Sequence, residues 1–173
     1  MTLTEQSKPA ASGAIEVTTV ASLARDWAAR TPNQIAMREK DFGVWKEYTW
    51  GTTWDLIETA AHGLLALGVE PGDRVSIHAE DRPEWIILDL AAVAVRGITV
   101  GFYPTNPSAE VRYLLADSGA CVHFAEDEEQ YDKVEGVGRT AVPDVRSIIF
   151  VEPRGMVGKP DERLLFWDNF LDL

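Results

Sequence analysis

Four short stretches carry the side chains whose types and spacing could do chemistry. In "YTWGTTWDL", residues 48–56, a glycine and two threonines open a helical pattern. Free backbone N–H groups and the positive dipole end of a helix can receive a phosphate at such a place. A phosphate loop also needs further glycines for close backbone approach and a lysine for charge. Here Trp50 and Trp54 flank the glycine, Asp55 follows, and the next Lys or Arg is Arg74. The preferred reading is that the Thr49 hydroxyl caps a helix.

The second stretch is "YPTNP", residues 103–107, a neutral loop beside an apolar strand. Tyr103, Thr105 and Asn106 are the candidate substrate-proximal residues, bordering a neutral or apolar ligand. The competing reading gives Asn106 the N-cap of the next helix, with Pro107 in its first turn. The third is the acidic run at residues 126–129, which suits the positive end of a helix better than a metal, because successive residues do not share a helix face. The fourth is "ACVHF" with the single cysteine, Cys121, expected as an inert core thiol.

The three histidines are scattered. His62 follows Glu58 by one helical turn, the spacing of an exposed pair. His78 and His123 each fall on a strand, with no Ser, Cys or second His placed to complete a triad or a metal pair. Structural roles are expected for all three. No catalytic, cofactor-binding or metal residue is assigned.

The elements that must position these residues follow a rhythm. "TTVASLARDWAAR" sets Val20, Leu23, Ala24 and Trp27 at helical spacing, and "QIAMREKDFGVWKEYT" reads as a β-hairpin. A helix follows with Trp54, Ile57, Ala61, Leu64 and Leu65 on its apolar side. Then strands "RVSIHA", "ITVGFY", "ACVHFA" and "RSIIFV" alternate with helices "PEWIILDLAAVAVR", "PSAEVRYLLADS" and a weaker one over residues 127–140. That alternation predicts an α/β fold, a parallel sheet with flanking helices, preceded by the hairpin. The last segment, "LLFWDNFLDL", reads as the start of a helix with Trp167, Phe170 and Leu171 on its apolar side. The helix "PEWIILDLAAVAVR" is apolar all round and so must be covered all round.

Composition limits the partners. With 28 acidic residues against 16 Lys and Arg, the net charge of -12 excludes a nucleic-acid role, since the field of the whole molecule repels a phosphate backbone. The longest apolar run is too short for a transmembrane segment and is interrupted by Asp89. Residues 1–16 read as a loose tail. No secretory signal is evident, and the location expected is cytoplasmic, with peripheral membrane contact left open.

The stretch from Tyr48 to Asp127 resembles the opening portion of an adenylate-forming enzyme, and in particular a bacterial long-chain fatty acyl-CoA synthetase. The markers are "LGVEPGDRV", "EDRPEW", "GITVGFYPTNPSAEVRYLLADSGA" and "VEPRG" with the trailing "FWDNFLDL", and the likeness extends over residues 21–173. The resemblance implies an N-terminal α/β subdomain over residues 17–173, part of a larger adenylating domain and cut before the family's phosphate loop. It implies a parent that joins a fatty acid to ATP's α-phosphate with magnesium and then passes the acyl group to CoA. The family's phosphate loop, its adenine and magnesium motifs and its mobile lid lie downstream, so none of their residues carries over. This chain alone is expected to be inactive, with the remainder of the synthetase or a second copy covering its apolar surface. Two other readings stay open: a noncatalytic interaction or lipid-binding module on the same scaffold, and a piece of another acid–CoA ligase.

Overall fold

A computed structural model of the chain describes residues 18–156 and 158–173. The tail expected over residues 1–16 lies outside the described residues. Helix α1 (Val20–Arg30) leads into the hairpin β1 (Ile35–Asp41) and β2 (Val44–Thr49), closed by a two-residue turn. Both turn residues have positive φ, Phe42 at 45° and Gly43 at 85°. That backbone matches the twist of an antiparallel ribbon.

Helix α2 (Trp50–Ala66) starts where the hairpin ends. Thr49 Oγ1 accepts from the Thr52 backbone N–H at 3.2 Å, and Thr52 Oγ1 accepts from the Thr49 N–H at 3.0 Å. The opening stretch is thus a reciprocal capping box, and with the Trp50 and Gly51 N–H groups donating to the Gln34 and Pro32 carbonyls the first turn has its donors engaged within the chain. Thr49→Ala is expected to lower stability by about 1 kcal/mol. Urea unfolding checks this, and a loss within error of zero would contradict it.

The parallel series is β3 (Arg74–His78), α3 (Pro83–Ala94), β4 (Ile98–Phe102), α4 (Ser108–Ser118), β5 (Val122–Ala125), α5 (Glu128–Glu135), β6 (Ser147–Phe150), β7 (Leu164–Phe166) and α6 (Trp167–Leu171). The strands lie in the order β4-β3-β5-β6-β7, all parallel. The chain steps outward from β3 to β4, then reverses past β3 to β5. Alternate strand residues feed two cores. Val75 and Ile77 of β3, Phe124 of β5 and Ile149 of β6 meet α2, α3 and α6 on one face. Phe102, Ala125 and Ile148 meet α4 and α5 on the other.

Four expectations are corrected. "LLF" is a strand, not the start of a helix; three residues are too few to display an alternating pattern, and pairing with β6 decides it. Leu65 is exposed, because the buried side of α2 runs through Thr53, Ile57, Ala60, Ala61 and Leu64. On α1 the buried residues are Ala21, Ala24 and Ala28, while Val20, Leu23 and Trp27 remain about half exposed. The weak helix over residues 127–140 ends at Glu135, followed by a separate 3-10 turn at Arg139–Ala141.

Two local contacts fix the helices on the sheet. Gly119 ends α4 in the left-handed region, and Arg74 donates to the carbonyls of Ser118 at 2.6 Å and Gly119 at 2.8 Å. A cation therefore sits at the negative end of that helix. On α3, Ile87, Leu88, Ala91 and Ala92 are buried, while Ile86 keeps 44% of its surface exposed. Coverage of the all-apolar helix is incomplete.

Candidate functional site

In a parallel sheet of this order, the crevice opens beyond the carboxyl ends of the two strands between which the chain reverses. Those strands are β3 and β5, and the loops that leave them carry Glu80, Asp81, Arg82 and Glu126. A cleft of about 760 Å³ lies there, walled by Trp45 and Lys40 of the hairpin, Trp85 of α3, and Glu80, Arg82 and Glu126. A second cleft of about 390 Å³ adjoins it across Glu80, Asp81 and Trp85, and is bordered by Tyr103 and Pro104.

Arg82 and Glu126 in the wall of the larger cleft belong to an ion cluster. Arg82 donates from Nε to Glu84 Oε2 at 2.7 Å and from Nη1 to Glu126 Oε1 at 3.2 Å. The other oxygen of Glu126 accepts from the Glu80 backbone N–H at 2.7 Å. Burial alone would lower the Arg82 pKa, but the Glu84 hydrogen bond and the charges of Glu84 and Glu126 outweigh it and raise it. Both carboxylates are engaged by one guanidinium, so the cluster locks the two loops together rather than leaving a free anion receptor. Among the described residues no group of three His, Cys, Asp or Glu is placed to hold a metal.

The predicted trio divides. Tyr103 is 77% exposed and borders the smaller cleft. Thr105 is exposed, and Asn106 is half-buried with its Nδ2 donating to Glu110 at 2.6 Å. Asn106 does not cap α4. Pro107 occupies the N-cap position, and no side chain caps the helix. The acidic run is split as well: Asp127 caps α5 by accepting from the N–H groups of Glu129 and Gln130, whereas Glu126 belongs to the crevice.

The histidines hold a surprise for the sequence reading. His62 is exposed on α2, and no salt bridge joins it to Glu58 among the described residues. His78 and His123, by contrast, are neighbours on adjacent strands, with ring centroids 5.8 Å apart. Ser76 Oγ lies 2.7 Å from His123 Nδ1. The expectation that no Ser or second His stands near them is therefore wrong, because pairing of β3 with β5 joins residues 47 positions apart. Cys121 is buried as expected, and burial pushes its thiol pKa up, with the Asp73 charge adding to the shift and Arg146 opposing it. That is the setting of an unreactive thiol.

Comparison with known proteins matches residues 24–162 to the profile of the AMP-binding enzyme family. A long-chain-fatty-acid–CoA ligase of Mycobacterium bovis is 35% identical over 151 residues, covering 87% of this chain and 25% of the relative. The chain thus spans about a quarter of the length of that curated relative. Among solved structures, the acetoacetyl-CoA synthetase from Streptomyces lividans superposes with a TM-score of 0.75 at 24% identity, over 88% of this chain and 25% of that one. The coronafacic acid ligase from Pectobacterium brasiliense gives 0.76 at 18% identity, over 88% and 29%. These two structures share the fold and differ in the acid they are named for, so the fold does not discriminate between acids.

Proposed function

Since this chain belongs to the AMP-binding enzyme family, we propose that it forms the N-terminal scaffold of a longer ATP-dependent ligase for long-chain fatty acids. In that reading the parent joins the acid to AMP with release of pyrophosphate, assisted by magnesium, and CoA then takes the acyl group. The observation that carries it is the 35% identity to a long-chain-fatty-acid–CoA ligase over most of this chain. The groups that hold ATP, magnesium and CoA are proposed to lie outside these 173 residues. In support, none of the loops leaving the strands is glycine-rich and three of the four carry carboxylates, which repel phosphate.

The part given to these residues is to build one wall of the crevice and to present an apolar flank. That flank is Val20, Leu23 and Trp27 of α1 with Ile86 of α3, beside the stacked rings of Trp27 and Trp50. The remainder of the ligase, or a second copy of this chain in its absence, is the proposed cover; the isolated chain is then expected to self-associate, and a monomer by light scattering across a wide concentration range would contradict it. A cytoplasmic location belongs to the same reading, and no described helix is long and apolar enough to cross a membrane.

The test is pyrophosphate release with ATP, magnesium and a long-chain acid. The 173-residue chain is expected to fall at least ~1000-fold below an intact ligase, because the groups that orient and stabilise the transferring phosphoryl are missing. A rate near that of an intact ligase would overturn the proposal. Competition between acids of different length in the longer protein checks the substrate class.

A further inference from the structure

The two cores differ in kind. The face bearing α1, α2, α3 and α6 is aliphatic and aromatic. The opposite face of β3 and β5 places Ser76, His78 and His123 inside, each with no exposed surface. Phe102 packs on both rings, with centroids 5.8 Å from His78 and 5.7 Å from His123. Ser76 satisfies His123 Nδ1, but among the described residues His123 Nε2 has no partner and His78 has the Tyr103 backbone as a poorly formed one. Unsatisfied ring nitrogens in an interior cluster are uncommon, and each neutral ring has one nitrogen that can add a proton.

The layer on this face of the sheet is built on α4 and α5. Helix α4 buries only Val111 and Leu115, and α5 buries Gln130, Tyr131 and Val134. Lys133 of α5 also reaches over to the loop after β4, donating to the Pro104 carbonyl at 2.6 Å. The loop that borders the smaller cleft is thereby tied to the same layer.

We propose that Ser76, His78 and His123 form an acid-sensitive latch, which holds α4 and α5 on the sheet while the rings are neutral and releases that layer, with the loop carrying Tyr103, when they take up protons. The consequence for the crevice rests on the functional reading above; the latch itself does not.

The charges around the pair set its direction. Burial pushes His78 down to about 4; the Lys133 cation adds to that shift, while the Tyr103 backbone, Glu129 and Asp127 oppose it. Burial pushes His123 down to about 3, with His78 and Arg163 adding to the effect. An exposed imidazole titrates near 6.5, so between about pH 6.5 and 4 the opened state binds more protons than the closed one. The stabilisation is complete above pH 6.5 and is lost as the pH falls through that window. From pH 7 to pH 5 the open-to-closed ratio is expected to rise about 20-fold for each ring, or about 400-fold for the pair.

Amide hydrogen exchange on the whole chain, corrected for the intrinsic pH dependence, tests this. Between pH 7 and 5 protection of α4 and α5 is expected to drop by about the factor above, and at both pH values it lies well below that of α2 and α3, whose opening needs the whole fold. With His78→Leu and His123→Leu together, Ser76 keeps the Val122 carbonyl at 3.3 Å as its partner, and the pH-dependent loss in α4 and α5 should vanish. Equal protection of the two faces, or an unchanged loss in the double variant, would overturn the latch. Should that variant not fold, imidazole NMR titration of the unaltered chain decides: either buried ring titrating above pH 6 in the folded state rejects it. Exchange needs no substrate, so failure of the latch leaves the ligase assignment standing.

Discussion

Phe170→Ala is expected to cost the chain about 3–5 kcal/mol, the range for deleting a fully buried aromatic side chain. Phe170 has no exposed surface and packs on Trp167 with ring centroids 5.5 Å apart. Trp167 in turn meets Phe124 of β5 edge-on at 5.7 Å. One ring thus links the last helix to the central sheet. Its seat on α2 is Gly63, where a Cβ would stand 2.6 Å from Phe170 Cε2 and 2.8 Å from the Phe170 carbonyl oxygen. The ring could turn aside, but the carbonyl belongs to the backbone of α6. Gly63→Ala should therefore destabilise by about 1–3 kcal/mol through overpacking, even though alanine is the better helix former. Urea unfolding followed by tryptophan fluorescence measures both. A neutral or stabilising Gly63→Ala would show that α6 is not seated as described.

Arg82→Ala is the second large effect. It removes the single cation between Glu84 and Glu126, whose side chains retain 14% and 21% of their surface exposed. Two carboxylates are then left partly desolvated and facing each other, at a cost of about 2–4 kcal/mol. Arg82→Lys should restore less than half of it, because one ammonium cannot reproduce two N–H contacts diverging from a planar fork. Chemical denaturation of the three proteins checks the ranking. Equal stability for the lysine variant and the unaltered chain would mean that the charge alone matters and that the fork geometry contributes nothing.

Most elements could be read from residue patterns, and what escaped was what the third dimension decides. The capping role of Thr49 was legible because Trp50, Trp54 and the absent lysine all oppose a phosphate loop. The alternation of strands and helices was legible because each segment carries its own periodicity and its own caps. Strand order is a different matter. Nothing in "RVSIHA" or "ACVHFA" says that they lie side by side, so neither the contact of His78 with His123 nor the bond from Ser76 could be foreseen. The same adjacency brings Glu126 to Arg82, turning an apparent acidic nuisance into half of an ion cluster. Asn106 failed as a cap because the helix starts one residue later than its Asn-Pro signal suggests, with Pro107 in the cap position, and a boundary one residue off is not resolved by composition. Of the expected trio, Tyr103 borders the smaller cleft.

The position of β4 at the rim of the sheet has a colloidal consequence. Its five residues, "ITVGF", contain no charge and no proline to blunt the outer row of backbone donors and acceptors, and Ile98 is 52% exposed. Such a rim is a template for a foreign strand. What opposes pairing at this rim is long-range repulsion from the net charge of -12, which acts over about 8 Å at physiological ionic strength and shortens as salt is added. Acid erodes the same repulsion by neutralising carboxylates. The chain therefore meets its greatest hazard of strand-to-strand association in the pH range where its buried imidazoles begin to charge, and dilute, low-salt solution is where its single-molecule behaviour can be seen.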